Sequence, residues 1–388
     1  MKIKFLMLIP VLLSGTVYAD AIDECKDYLE KEEYSKALPH CLDACSMNDG
    51  LGCALSGNFY YSGQYERQDY GKVITYWEKA CSLNHGGACF GLGILYQDGQ
   101  GAGQDYSQAN TYYEKACSLN YSGGCLNLGN SYFNGQGVKQ DYSKAITYYG
   151  KACSLSDGAG CHGLGISYYH GKGIKQDYSQ ATSFFEKACS LNYGTGCFNL
   201  GISYAKGQGV RQDDIQAKNY YEKACILNDS SGCLNLGGSY YDGKGVKQDY
   251  IQANTFFEKA CSLNDGKGCL NLGISYAKGQ GVRQDDIQAK IYYEKACSLN
   301  NGGGCLNLGS LYYNGQGVKQ DYVQANAFFD KACNLKNGAG CSNMGNSYRN
   351  GKGVKHNQTT AKEYFRKACD YGSQKGCDNY RELNKQGS

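Results

Sequence analysis

CLNLGNSYFNGQGVKQDYSKAITYYGKAC, residues 125–153, holds two helical patterns separated by a pair of glycines. Cys125, Leu128, Gly129 and Tyr132 stand at i, i+3, i+4 and i+7, which is one face of a helix. Gly135-Gln136-Gly137 ends it, because glycine readily takes the left-handed conformation after a last turn. Asp141 opens the second helix as an N-cap, its carboxylate accepting from unsatisfied backbone N–H groups. Ala145, Tyr149 and Ala152 again fall at i, i+4 and i+7. Gly129, Ala145 and Ala152 are small where two helices approach, and the aromatics fill the space between them. Ser156 to Gly160 turns the chain into the next unit.

The same unit recurs at a constant spacing of 36 residues, marked by Cys45, Cys81, Cys117, Cys153 and their successors to Cys369. A second series, from Cys53 to Cys377, follows eight residues behind. Leu200 to Lys218 equals Leu272 to Lys290 residue for residue, the mark of internal duplication. A helix pair of this size cannot cover its own apolar face, so stacking of neighbours supplies the core. The expected fold is all-α: a right-handed superhelical solenoid of helix-turn-helix repeats of TPR type, stapled by disulfides. Nine units are expected over 53–376, preceded by a shortened helix pair at 20–52 and closed by a capping helix at 377–388.

The N-terminus has a different character. Lys2 and Lys4 precede the apolar run Phe5 to Leu13, and Val17-Tyr18-Ala19 supplies small residues. Residues 1–19 therefore read as a cleavable signal peptide, and the run is too short to span a bilayer. Its loss takes the net charge from +3 to about +1, leaving no field to steer nucleic acid or anionic lipid. Neither nucleic-acid binding nor membrane insertion of the mature chain is expected, and its place is secreted or periplasmic. The 22 cysteines agree, since they would be a liability in a reducing cytosol.

Periodicity constrains their pairing. Joining each cysteine to the one eight residues later gives Cys45–Cys53, Cys81–Cys89, Cys117–Cys125, Cys153–Cys161, Cys189–Cys197, Cys225–Cys233, Cys261–Cys269, Cys297–Cys305, Cys333–Cys341 and Cys369–Cys377. Cys25 and Cys41 remain, able to bridge the two helices of the first unit as Cys25–Cys41. Pairing at a spacing of 28 would strand Cys377. Each repeated staple closes a loop of about nine residues, which removes roughly 2.5 kcal/mol of unfolded-state freedom. No C-x-x-C occurs, and neither a zinc site nor redox chemistry suits this spacing.

The unit at 125–153 resembles the Sel-one-like repeat, whose pattern is met by Leu128, Gly129, Tyr132, Gly135, Gly137, Asp141, Lys144, Ala145 and Ala152. Cysteines at C-x7-C together with a leader make the chain similar to the Helicobacter cysteine-rich protein family. Tyr65, where later units carry the second loop glycine, departs from the pattern. The resemblance implies a repeat scaffold presenting a concave groove to a protein or peptide ligand, including a host protein. Its members also carry the label of penicillin-binding proteins or β-lactamases, which makes β-lactams and peptidoglycan fragments candidate ligands.

Residues give that label little support. S-x-x-K occurs at Ser203/Lys206 and Ser275/Lys278, with no S-D-N or K-T-G element. These serines are expected as exposed polar residues at the end of a first helix, and no catalytic residue is assigned. His40, His85, His162, His170 and His356 are scattered, so neither a metal site nor a cofactor is expected. Lys139, Lys175, Arg211, Lys247, Arg283, Lys319 and Lys355 form a ladder before each second helix, read as a solvated edge or a rim for anionic ligands. The candidate ligand residues are Asn127, Asn199, Asn235, Asn271, Asn307 and Asn343, which recur on first helices beside the core leucines. Their amides suit an extended peptide backbone, and equally suit ties between neighbouring repeats. Tyr148/Tyr149, Phe184/Phe185 and Phe256/Phe257 read as packing between repeats rather than a ligand box.

Overall fold

A computed structural model describes residues 13–63 and 65–386, with side chains from 21 to 63 and from 65 to 385. Residues 1–12 of the expected leader lie outside the described residues, and Leu13 to Ala19 belong to the first helix. Among the described residues all 21 elements are helices, and they group into two compact units, Met1–Leu191 and Asn192–Ser388. The first unit holds α1 (Leu13–Glu30), α2 (Tyr34–Ser46), α3 (Gly50–Ser62), α4 (Tyr70–Ser82), α5 (Gly86–Asp98), α6 (Tyr106–Ser118), α7 (Ser122–Asn134), α8 (Tyr142–Ser154), α9 (Gly158–His170) and α10 (Tyr178–Ser190). The second holds α11 (Gly194–Lys206), α12 (Asp214–Ile226), α13 (Ser230–Asp242), α14 (Tyr250–Ser262), α15 (Gly266–Lys278), α16 (Asp286–Ser298), α17 (Gly302–Asn314), α18 (Tyr322–Asn334), α19 (Gly338–Asn350), α20 (Gln358–Asp370) and α21 (Gln374–Gln386). Each is a stack of helix pairs, and the sequence spacing carries no sign of the division.

Local chemistry sets where these short helices begin and end. Gly135 caps α7 at φ 74°, and Gly137 at φ 67° lets the loop rest on the backbone of Tyr106. Asp141 caps α8, its Oδ1 accepting from Lys144 N at 3.0 Å. The junction after a second helix is tighter. Asn120 takes φ 60°, and Asn120 N and Tyr121 N close onto Cys117 O and Ala116 O, each at 3.0 Å. Asparagine tolerates this left-handed conformation better than most residues.

Disulfides hold the same junctions. In the first unit Cys25–Cys41 joins α1 to α2, while Cys45–Cys53, Cys81–Cys89, Cys117–Cys125 and Cys153–Cys161 join a second helix to the following first helix. In the second unit Cys225–Cys233, Cys261–Cys269, Cys297–Cys305, Cys333–Cys341 and Cys369–Cys377 do the same. Cys189 and Cys197 are also disulfide-bonded, and no described cysteine is free. The staple at Cys117–Cys125 needs a Cα separation of 4.6 Å, and glycine permits it: a Cβ on Gly124 would lie 2.6 Å from that of Ala116.

Between staples the core is aromatic. Tyr132 and Tyr148 stack with centroids 5.6 Å apart, as do Tyr240 and Phe256 at 5.5 Å. Tyr112 and Tyr364 donate to the carboxylates of Glu78 and Asp330 in the preceding pair, at 3.0 and 2.7 Å. The abundant tyrosine is therefore packing with a polar end that reaches a neighbour.

His85 caps α5 where aspartate or asparagine caps several other first helices, its Nδ1 accepting from Ala88 N at 3.1 Å. Burial depresses its pKa below the usual 6.5, so the neutral ring is the one the fold uses. The unfolded chain then binds the proton more readily, and stability present above about pH 6.5 is lost as pH falls through the folded pKa. His85→Asn should flatten this acid limb while preserving the cap. Urea midpoints at pH 5 and 7.5 check it, and an unchanged pH difference would refute the assignment.

Candidate functional site

First helices of adjacent pairs meet along seams, and those seams hold the chain's recurring recesses. In the second unit, Ser310, Tyr313 and Asn314 of α17 face Asn343 and Asn346 of α19 across a recess of about 430 Å³ reaching Phe329 of α18. An equivalent recess of about 700 Å³ lies two pairs earlier. It is lined by Gly238, Tyr241 and Asp242 of α13, by Asn271, Ile274 and Lys278 of α15, and by Phe257 of α14. The first unit has a more apolar counterpart of about 460 Å³ between α1 and α3, with Leu55 at the asparagine register and Asn58 beside it.

The wall of each second-unit recess is a fixed tyrosine. Tyr313 packs edge-on against Tyr322 at 5.0 Å, and Lys352 Nζ donates to its hydroxyl at 2.9 Å. That contact raises the Lys352 pKa. Tyr241 packs on Tyr250 at 5.1 Å and donates to Gln280 Oε1 at 3.1 Å. The rims differ in charge. Asp242 and Lys278 border the earlier recess, whereas Asn314 and Asn346 border the later one.

The six asparagines divide into distinct roles. All are half-buried. Asn271 and Asn343 line the recesses. Asn127 and Asn307 instead hydrogen-bond the buried hydroxyls of Tyr113 and Tyr293. Burial pushes both phenols up to about 12, and the asparagine contacts pull in the opposite direction. Asn235 turns onto its own helix, Nδ2 donating to Ser231 O at 2.8 Å, and borders a separate recess with Leu234 and Lys267, while Asn199 lies on α11. After Phe257 and Phe329 the asparagine 14 residues later lines a recess. Two buried phenols are tied to first helices instead: Tyr113 donates to Gln97 at 2.9 Å and Tyr149 to Asn130 at 2.8 Å.

Another asparagine series escaped the sequence reading. Asn110, Asn254 and Asn326 are buried on second helices and donate to the loop carbonyls of Gln136, Gln280 and Lys352 at 2.7 to 2.8 Å. Their 72-residue spacing from Asn254 to Asn326 was the available signal. The basic ladder, by contrast, is exposed throughout, from Lys139 to Lys355.

The expectation of exposed serines in S-x-x-K needs correction. Ser203 and Ser275 are each only 1% exposed, and Ser203 Oγ donates to Asn199 O at 3.1 Å. They stand three residues after Leu200 and Leu272, which carries them onto the buried stripe of the helix. Lys206 and Lys278 are exposed. No group of three or more His, Cys, Asp or Glu among the described residues could hold a metal ion. No helix among them is long and apolar enough to cross a membrane.

Nine consecutive segments, 51–85, 87–121, 122–157, 158–193, 195–229, 230–265, 266–301, 303–337 and 338–373, match the Sel1 repeat. The chain belongs to the Sel1 repeat family. A protective antigen of uropathogenic Escherichia coli strains with an SLR fold is 23% identical, covers 90% of each chain and superposes with a TM-score of 0.66. A Sel1 repeat protein from Oxalobacter formigenes is 23% identical over 63% of this chain and 96% of its own, with a TM-score of 0.55. Helicobacter pylori cysteine rich protein B is 44% identical over 34% of this chain and 95% of its own, with a TM-score of 0.29. No curated protein matches the sequence. The functional class that follows is a protein-interaction scaffold, and its disulfides belong to an oxidising compartment.

Buried serines make poor nucleophiles. Replacing Ser203 and Ser275 by alanine should leave nitrocefin hydrolysis by the oxidised protein at its unsubstituted rate. A tenfold fall with far-UV circular dichroism unchanged would return them to a catalytic role.

Proposed function

We propose that this Sel1 repeat protein binds an extended polypeptide along the first helices of its second unit. The observation that carries the reading is the pair of equivalent recesses at Asn271 and Asn343, each bordered by a fixed tyrosine and reaching a phenylalanine. A primary amide can donate to and accept from a peptide backbone. The recess beside it takes a side chain, apolar at its base and polar at its rim.

Spacing limits the ligand. Two steps between packed helices span roughly 16–20 Å. Extended chain covers that distance in about five or six residues. The recess at Asp242 and Lys278 favours a polar or charged anchor, and the one at Asn314 and Asn346 a neutral one.

Selection from a random-peptide display library on the oxidised protein tests this reading. Enriched peptides should carry two anchors at that separation. Asn271→Ala with Asn343→Ala should weaken their binding at least tenfold by calorimetry, while Asn235→Ala leaves it unchanged. Failure to enrich any peptide, or equal affinity for the double variant, would overturn the reading.

We also propose export, with residues 1–19 removed as the leader. The basic start, apolar run and small residues before Ala19 support it. Intact mass of the protein recovered outside the cytosol should begin at Asp20. A chain retaining Met1 would refute cleavage.

A further inference from the structure

The second helices of the second unit carry an apolar ladder unrelated to the recesses. Ile215, Ile251, Ile287 and Val323 recur every 36 residues and are 61%, 65%, 61% and 65% exposed. Each is held in place, because its backbone N–H donates at 2.9 Å to the aspartate that caps its helix. The fold does not demand these side chains. At the same register the first unit has Gly71, Ser107, Ser143 and Ser179.

Loops join the rungs into an edge. Gly245, Gly281 and Gly317 rest on the start of the preceding second helix, at Asp214, Tyr250 and Asp286. Half-buried Val246, Val282 and Val318 follow those glycines directly. Exposed Arg211, Lys247, Arg283 and Lys319 run beside the ladder, as do the capping aspartates Asp213, Asp249, Asp285 and Asp321.

We infer that this edge pairs with the same edge of a second copy of the chain, in an antiparallel two-fold dimer. Rung spacing is fixed by the repeat, so a partner must share that rise to meet all four rungs. A second copy does so by construction. A two-fold axis turns the order of charges around, setting the bases of one edge against the aspartates of the other. The mixed charge also disfavours an anionic membrane as the occupant, which would select a basic edge. A single stripe is smaller than the roughly 800 Å² per partner of a standard interface, so the dimer is weak, with a dissociation constant on the order of 10 μM.

Sedimentation velocity of the oxidised full chain from 1 to 200 μM (a range set on the order of that constant) tests the pairing. The protein should shift from monomer to dimer across this range. The variant I215S/I251S/I287S/V323S, which installs the residue type of the first unit, should remain monomeric with unchanged far-UV circular dichroism. Should that variant lose helicity, Ile287→Lys alone should raise the midpoint at least tenfold. A monomer at 200 μM, or a dimer with the same midpoint in a folded variant, would overturn the inference.

Discussion

The constraint on which everything else depends is the close approach at each junction between pairs. Gly124 lies so near Ala116 that a methyl group on both would collide, and Cys117 and Cys125 then stand 4.6 Å apart at Cα. Close approach makes the disulfide geometrically available, and the disulfide fixes the register of the next helix. Helices of 13 residues are marginal in isolation, so they gain their order from neighbours. Within each unit the staples and the aromatic layers hold neighbouring helices together.

Given fixed register, small differences in side chain have local and readable effects. Phe257 and Tyr293 occupy the same place in successive pairs, and one hydroxyl separates them. Beyond Phe257 the asparagine at 271 lines a recess, whereas beyond Tyr293 the asparagine at 307 binds the phenol. A buried hydroxyl must find a partner, as Tyr113 does at Gln97 and Tyr149 at Asn130. The apparent ladder of six identical residues is therefore two kinds of site interleaved with structural ties.

Much of this was legible in the sequence. Helix ends followed from Asp141 and Gly135, and the disulfide-stapled helical class from the two cysteine series. The asparagine register was visible, but its split was not, because it depends on contact between residues 113 and 127 or 293 and 307 across a junction. The serines of S-x-x-K were misplaced for a different reason. Proximity to the helix end suggested exposure, whereas the i, i+3 relation to Leu200 and Leu272 decides burial. Division of the helices into two units left no trace in a spacing that is uniform throughout.

Duplication explains why such a chain can carry more than one surface. Copies such as Leu200 to Lys218 and Leu272 to Lys290 begin alike at every position, and exposed positions have the most freedom to change afterwards. Register turns each free position into a row. A serine row in one unit and an isoleucine-valine row in the other are the same helix position under different demands. The exposed rungs lie on second helices and the recess rims on first helices, so a substitution in one row can leave the other in place. First-helix recesses and second-helix edges can thus be tuned separately on one scaffold, provided that glycine, alanine and the cysteine pair keep the junction between them.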